Sequence, residues 1–173
     1  MPFISVCSLA LVPSTVSRLQ PWGMITLLDP ASMIDTPEGL SPDTHLKLGL
    51  NDVVHVQEGL VPPAVAHVHA ILDHVAAWDQ SAPLLVHCWA GVSRSTASAF
   101  MAACALNPDV DPVRIAWHIR EASPTATPNR LLVRYADEIL GRDGAMIAAV
   151  DAIGRGEDCW EGVAFDLPAR WEL

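Results

Sequence analysis

The segment LLVHCWAGVSRSTASAF, residues 84–100, constrains the fold of this chain more than any other. It joins a continuous apolar run to a short turn of small residues and then to a segment of helix length. Continuous apolar strands are typical of sheets that are covered on both faces. The segment therefore predicts a buried strand that ends in a turn and opens a helix, with Cys88 in the turn and Arg94 six residues later.

Other parts of the chain repeat this alternation of strand and helix. Apolar runs predict further strands at 3–9, 23–30 and 45–50. Segments of helical length or spacing between prolines and glycines predict helices at 13–20, 61–78, 94–106, 111–121, 128–141 and 144–153. We predict a three-layer α/β/α fold: a small, mostly parallel sheet of four to five strands flanked by helices, with a helical C-terminal half.

The domain organisation follows from the length and from the final residues. A chain of 173 residues, half of them hydrophobic, can bury one hydrophobic core without disulfide bonds or metal ions to stabilise it. Residues 1–154 are predicted to form a single domain. Residues 155–173 have no clear period, and we expect this C-terminal tail to pack on the domain or to extend from it.

The charge distribution argues against a general nucleic-acid or anionic-membrane binder, because the formal net charge is −10. Residues 94–142 are the exception, with six basic and five acidic residues. This stretch begins at the turn described above. An anionic ligand would therefore find its best-placed charges there.

The cysteines and the N-terminus indicate the compartment. The four cysteines form no CxxC pair, so reduced thiols in a cytoplasmic protein are expected. The start MPFISVCSLALVP lacks a basic leader, and we interpret it as a first strand and a turn. No apolar stretch is long and uninterrupted enough to predict a membrane span.

The turn has the composition of an anion-binding loop. A strand that delivers its carboxyl end to the start of a helix is a common place for an α/β protein to hold an anion. Gly91 and the small Ala90 and Ser93 allow a loop whose backbone amides all point inward. Such amides would stabilise a Cys88 thiolate, which is the nucleophilic form of cysteine.

The residues beside the cysteine fit the same chemistry. The planar guanidinium of Arg94 matches two oxygens of a phosphoryl group, which a lysine could not bind in a bidentate way. Ser95 could donate a hydrogen bond to the sulfur when the thiolate has to leave again. His87 is expected to order the loop, because a thiolate held by amides needs no base.

The string HCWAGVSRST resembles the signature of the cysteine-based protein tyrosine phosphatases: His-Cys, five residues, then Arg and Ser or Thr, with Gly in the middle. In length and order the chain looks like the small dual-specificity branch and short bacterial tyrosine-phosphatase-like proteins. The resemblance covers residues 3–141. It implies a nucleophilic Cys88, supporting roles for His87 and Asn129, and a phosphate-binding loop of Trp89, Ala90, Gly91, Val92, Ser93 and Arg94.

Cleavage of a phosphate ester also needs a proton for the departing oxygen, normally from a carboxylic acid. In the resembled family this Asp follows a strand, some thirty to forty residues before the cysteine. Asp52 follows the predicted strand 45–50 and precedes Cys88 by 36 residues. We predict that Asp52 is the general acid, with Asp43 as the nearest substitute. The alternative is that Asn51-Asp52 is a plain turn.

The resemblance implies a phosphomonoester hydrolase that acts on a phosphoprotein or phosphopeptide, with phosphotyrosine as the first expectation and dual specificity as the second, through a phosphocysteine intermediate. It implies no metal and no cofactor. In the family, lysines inside the loop accompany inositol phosphate substrates, and WAGVS has none. Two alternatives stay open: a phosphopeptide-binding module without turnover, and a sulfur- or arsenate-handling enzyme that uses the same Cys-x5-Arg loop.

Several further residues allow two interpretations. His67, His69 and His74 could suggest a metal site, but 69 points away from the other two on a helix, which favours a partly exposed helix face. His45 and His55 are interpreted as surface residues, whereas Cys7 and Cys104 are assigned to the core. Trp89 either lines the rim of the pocket or packs under the loop.

Overall fold

The structure is a computed structural model that describes residues 1–172. Its strands are β1 (Phe3–Cys7), β2 (Gly23–Leu28), β3 (His45–Gly49), β4 (Leu84–His87) and β5 (Phe165–Pro168). Its helices are α1 (Val12–Leu19), α2 (Val65–Ala77), α3 (Arg94–Leu106), α4 (Pro112–Ala122), α5 (Arg130–Leu140) and α6 (Ala145–Ile153). The predicted α/β architecture with a helical C-terminal half is confirmed.

The strands form one sheet in the order β3-β2-β4-β1-β5. The first four strands are parallel to their neighbours, and β4 lies centrally between β2 and β1. Only β5 runs antiparallel, at the edge beyond β1. The carboxyl ends of the four parallel strands therefore meet at one edge of the sheet.

Alternating side chains divide the sheet into two covered faces, as the three-layer prediction requires. On the larger face, Val86 and Ile25 belong to the main core, which α2 to α6 cover. On the smaller face, Leu85 and Met24 pack with Val16 of α1. Buried apolar residues on both faces explain why these strands have nearly continuous apolar sequences.

The fifth strand comes from the tail, where the sequence shows no clear period. In β5, Phe165 and Leu167 are buried while Asp166 is exposed. Four residues are too short a run for this alternation to be distinguished from an irregular segment. Pairing with β1 makes the strand, so this contact between the two ends of the chain could not be predicted locally.

The start of α2 differs from its prediction. The pattern of residues 61–78 predicted a helix that begins at the two prolines, whereas α2 begins at Val65. A residue that precedes a proline favours extended backbone, which delays the helix. Ala64 is extended as well, and its N–H donates to Nδ1 of His67 at 3.0 Å.

Two further properties of the described chain bear on its chemistry. Among residues 1–172, no helix has the length and apolar character needed to cross a membrane. All four cysteines are unpaired in this part of the chain; Cys7, Cys88 and Cys104 are buried, and Cys159 is exposed.

Candidate active site

Three loops meet at the carboxyl edge of the parallel strands. Asp29 directly follows β2, and Cys88 directly follows β4. Asp52 lies in the loop that follows β3. In open α/β sheets ligands bind at this edge. A cavity of about 420 Å³ lies there, lined by Asp29, Ser32, Asp52, Cys88, Trp89, Ala90, Val92, Ser93 and Arg94.

Five of the six carbonyl groups of the loop 88–93 are held by donors outside the loop. His87 Nδ1 lies 3.0 Å from the Cys88 carbonyl oxygen. Backbone N–H groups of Leu9, Gly162, Thr127 and Asn129 donate to the carbonyls of Trp89, Ala90, Val92 and Ser93, respectively, at 2.8–3.1 Å. Because C=O and N–H point in opposite directions across a trans peptide, fixing these carbonyls outward turns the following amides the other way.

Those amides are available to a ligand. Between Trp89 and Arg94, no backbone N–H donates to an acceptor within residues 1–172. Gly91 makes the turn possible, since its φ is +73° and a Cβ there would lie 2.9 Å from the backbone of Cys7 and Ser8. Any side chain at this position would both strain the backbone and collide with the end of β1. The loop is thus built as a ring of free donors, the arrangement that binds anions.

Arg94, the first residue of α3, adds the positive charge. Its side chain is nearly buried, and Nη1 donates to Asp29 Oδ1 and to the Leu50 carbonyl, both at 2.8 Å. Its Nε is buried without a hydrogen-bond partner among the described residues. A buried guanidinium N–H without an acceptor is costly unless a ligand completes it. One edge of the guanidinium is therefore anchored, and the Nε edge is free for an anion.

Asp29 is a site residue that the sequence analysis missed. It lines the cavity and fixes the orientation of Arg94, although the two residues are 65 positions apart. The predicted strand extended to residue 30 and so included Asp29, whereas β2 ends at Leu28 and Asp29 begins the loop at the carboxyl edge of the sheet.

Cys88 lies at the floor of the cavity, only 3% exposed. Its Sγ is 3.1 Å from Oγ of Ser95, within hydrogen-bonding distance. Cys7 and Cys104 are buried as well, and burial raises the pKa of Cys7 to about 11 and that of Cys104 to about 12. These two thiols stay protonated at neutral pH, which suits the core role predicted for them.

Asp52 lies beside the loop and is held by two donors. Its Oδ1 accepts a hydrogen bond from Ser93 Oγ at 2.7 Å and from Asn129 Nδ2 at 2.9 Å. Asn129 also caps α5, since its Oδ1 accepts from the N–H groups of Leu131 and Leu132. Asn129 thus joins the Asp52 loop to the start of α5, and its own N–H contacts the Ser93 carbonyl. Asp43, in contrast, is not among the residues that line the cavity.

The rim combines Trp89 with part of the tail. The Trp89 side chain is 57% exposed and lines the cavity, so it belongs to the rim. The tail passes next to the loop, where Gly162 contacts Ala90 and the Glu161 carboxylate accepts from the Ser8 hydroxyl. A second cavity, of about 220 Å³, lies between the tail and the loop and shares Asp52, Val92 and Ser93 with the first.

The histidines separate into exposed and buried groups. His55 is exposed as predicted, but the interpretation of His45 as a surface residue is wrong. His45 begins β3 and is 9% exposed, because its ring turns inward to Thr26. Sequence pattern does not reveal this direction for the first residue of a strand. Within the described residues, no group of three or more His, Cys, Asp or Glu side chains could hold a metal ion.

Burial of His87 and His45 predicts a pH-dependent stability. Desolvation lowers the pKa of both rings to about 4, assisted by Arg94 near His87 and by Lys47, His87 and His74 near His45. The unfolded chain binds protons near pH 6.5 and the folded chain does not, so stability is lost as pH falls from above 6.5 towards 4. Between pH 7 and pH 5 we expect each histidine to remove about 2 kcal/mol of unfolding free energy.

Urea unfolding at the two pH values measures this loss. The exposed His55 supplies the matched control, since His55→Gln should leave the pH dependence intact while His45→Gln reduces it by about half. Equal stability of the wild type at pH 5 and pH 7 would contradict the prediction.

No protein-family model matches the sequence, and no curated protein sequence matches it either. Solved structures do match. DUSP15 superposes with a TM-score of 0.62 at 14% identity, covering 88% of this chain and 94% of its own. Human DUSP28 has a TM-score of 0.58 at 17% identity, with 82% and 94% covered. PTPMT1 in complex with PI(5)P has a TM-score of 0.56 at 17% identity, with 80% and 91% covered. The chain therefore has the fold of the cysteine-based protein tyrosine phosphatases, in the compact form of the dual-specificity phosphatases.

Proposed function

We propose that this protein is a phosphomonoester hydrolase that dephosphorylates phosphoprotein, with phosphotyrosine as its main substrate, through a phosphocysteine intermediate. One observation carries the proposal. One cavity is lined by Cys88, by Arg94 with its unpartnered Nε, and by all but one of the loop residues whose amides have no acceptor. Donors arranged in advance around a developing negative charge are the largest usual contribution to such catalysis.

The first step transfers the phosphoryl group to sulfur. The Cys88 thiolate attacks phosphorus, an S–P bond forms, and the P–O bond to the leaving group breaks. Asp52 gives its proton to the departing oxygen, which leaves as an alcohol or phenol. Oδ1 of Asp52 is occupied by the donors from Ser93 and Asn129, so Oδ2 is the oxygen that carries the proton.

The second step hydrolyses the intermediate. Asp52, now a carboxylate, takes a proton from a water molecule whose oxygen attacks phosphorus. The S–P bond breaks, inorganic phosphate forms, and the electron pair returns to sulfur. Ser95 Oγ, 3.1 Å away, donates a hydrogen bond to the departing thiolate. The chain's own residues supply every proton transfer in this scheme.

The surroundings of the cavity favour an aromatic phosphoester. Phosphotyrosine carries its phosphate at the far end of a flat ring, which suits a buried Cys88 beneath the exposed Trp89 indole. Arg94 and Arg155 are the basic side chains among the residues that line the two cavities, and each is already paired with an aspartate, which disfavours a headgroup with several phosphates. PTPMT1, solved with PI(5)P, shares the fold at 17% identity, so phosphoinositide is the competing substrate class.

A panel of substrates tests the proposal. Phosphate release should be fastest from phosphotyrosine peptides, slower from phosphoserine and phosphothreonine peptides, and slowest from a soluble inositol phosphate. Mass spectrometry after acid quench should find a phosphate adduct on the peptide that contains Cys88. A protein that binds phosphotyrosine peptides without turnover would instead be a binding module. Turnover of thiosulfate or arsenate alone would indicate the sulfur- or arsenate-handling alternative.

The Asp52→Asn variant tests the general acid. We expect kcat for a phosphotyrosine peptide to fall by about 10²-fold or more, because tyrosine, with a pKa of about 10, is a poor leaving group. The loss should be smaller with p-nitrophenyl phosphate, whose phenolate leaves without protonation. The decline of kcat with rising pH should also disappear, because an amide has no proton to lose.

Asp43→Asn is the matched control, and its activity should equal that of the wild type. An equal loss of kcat for both substrates in Asp52→Asn, with the pH profile unchanged, would assign the proton transfer to another residue.

A further inference from the structure

A continuous line of hydrogen-bonded side chains runs from the backbone of Cys88 across the sheet, through residues that do not line the cavity. It starts at the Cys88 carbonyl and passes through His87 at the end of β4, Thr26 on β2 and His45 at the start of β3. The four contacts from the Cys88 oxygen to Thr36 measure 3.0, 2.7, 2.7 and 2.8 Å. Both rings and the Thr26 hydroxyl are buried, so water does not compete for these bonds.

The chemistry of the groups determines the direction of every proton in this line. A carbonyl oxygen only accepts, so His87 must donate from Nδ1 to Cys88. In a neutral ring Nε2 then has no proton, and it accepts from the Thr26 hydroxyl. Because that hydroxyl has one proton, its oxygen accepts from His45 Nε2. Nδ1 of His45 in turn accepts from the hydroxyl of Thr36.

The two neutral histidines must therefore be opposite tautomers, Nδ1–H in His87 and Nε2–H in His45. Burial keeps both rings neutral, since it lowers the pKa of each to about 4. Reversing either ring would leave two donors or two acceptors facing each other in a buried site, which is costly. For His87 the reversal would also place a nitrogen lone pair against the Cys88 carbonyl.

The orientation of the Cys88 carbonyl matters for the loop. The Trp89 N–H is on the same peptide group and points in the opposite direction. While His87 holds the oxygen outward, this N–H faces the cavity; a flipped peptide would present an oxygen to the anion instead. The tautomer of His87 therefore determines whether the first donor of the loop is available.

We propose that Thr26 and His45 are positioning residues of the active site, which hold His87 in the Nδ1–H tautomer and thereby keep the Cys88–Trp89 peptide oriented for anion binding. The inference rests on the proposed function, because the loop it orients is the proposed phosphate site. It adds to that function two residues from β2 and β3 that do not touch the substrate.

Nuclear magnetic resonance of the ¹⁵N-labelled wild-type protein measures both tautomers directly. Long-range ¹H–¹⁵N spectra distinguish the two neutral tautomers of each ring, with assignment from His45→Gln and His87→Gln. We expect Nδ1–H for His87 and Nε2–H for His45 at pH 7. The same tautomer in both rings, or Nε2–H in His87, would overturn the proposal whether or not the protein is an active phosphatase.

Kinetics of Thr26 variants provide the second measurement. Thr26→Val keeps the shape but removes the hydroxyl, and we expect kcat/KM for p-nitrophenyl phosphate and the rate of Cys88 alkylation by iodoacetate to fall about tenfold. Thr26→Ser restores the hydroxyl and should restore both rates. Thr44→Val, which removes a hydroxyl bonded to the Ser41 carbonyl beside His45, is the matched control and should leave both unchanged.

The outcomes separate the two proposals. A folded Thr26→Val protein with wild-type rates would overturn the positioning role, as would a Thr26→Ser protein as slow as Thr26→Val. Absence of turnover in the wild type, with the expected tautomers and with slower alkylation in Thr26→Val, would overturn the proposed hydrolase while supporting the positioning of the loop.

Discussion

Replacement of Cys88 by serine is expected to lower turnover of p-nitrophenyl phosphate by at least about 10⁴-fold, as loss of a covalent nucleophile does in other enzymes. A serine hydroxyl is not ionised at neutral pH and needs a base to attack phosphorus. His87 cannot serve as that base, since its two nitrogens are engaged by the Cys88 carbonyl and by Thr26. Phosphate release over a long incubation measures the residual rate.

The same Cys88→Ser protein should still bind phosphotyrosine peptide, because the loop amides and Arg94 do not depend on the sulfur. Calorimetric titration measures this binding. Cys159→Ser is the matched control, as its thiol is exposed and is not among the residues that line the cavity at Cys88. Turnover by Cys88→Ser at a rate near that of the wild type would remove Cys88 from the mechanism.

Arg94→Lys is expected to lose both binding and turnover, with kcat/KM lower by about 10³-fold or more. The guanidinium does two tasks at once, since Nη1 contacts Asp29 and the Leu50 carbonyl while the Nε edge is left for the anion. A lysine has one compact ammonium group, which can remain with Asp29 or reach a phosphate but cannot do both in a bidentate way. Binding of inorganic phosphate and steady-state kinetics measure the two losses separately.

A second arginine provides the control for this substitution. Arg130 forms a salt bridge with Asp151 on the surface, with both side chains about half exposed. Exposed pairs of this kind contribute little to stability, so Arg130→Lys should keep full activity. A kcat/KM for Arg94→Lys that stays within about tenfold of the wild type would mean that the loop amides alone carry the anion.

The two predictions with the largest expected effects concern Cys88 and Arg94. These residues lie close together in the sequence, so the sequence alone was enough to select them as candidate site residues. Cys88, Gly91 and Arg94 belong to one turn between β4 and α3, so their spacing already implies a shared loop. The positive φ of Gly91 and the outward carbonyls complete that inference. Most strand and helix positions followed from periodicity for the same local reason; the exceptions are α2, where the two prolines delay the helix, and β5, which depends on pairing with β1.

Contacts between distant segments were not predictable in this way. Asp29 contacts Arg94 because β2 and β4 are neighbours in the sheet, and no local sequence pattern predicts that strand order. His45 was interpreted as a surface residue because the first position of a strand does not show which way its ring turns. The tail joins the sheet and borders the loop only through pairing with β1 and through the contact of Gly162 with Ala90.

The anion loop and its proposed chemistry can be inferred from the amino-acid order, because a strand, a glycine turn and a helix start are local and their residues are contiguous. The residues that orient this loop cannot be inferred from the amino-acid order. Thr26 and Asp29 come from one segment at β2, His45 comes from β3, and the tail is a third segment; their meeting with the loop depends on the strand order β3-β2-β4-β1-β5. That order is determined by which apolar faces bury each other, a property of the whole packed chain and not of any one segment.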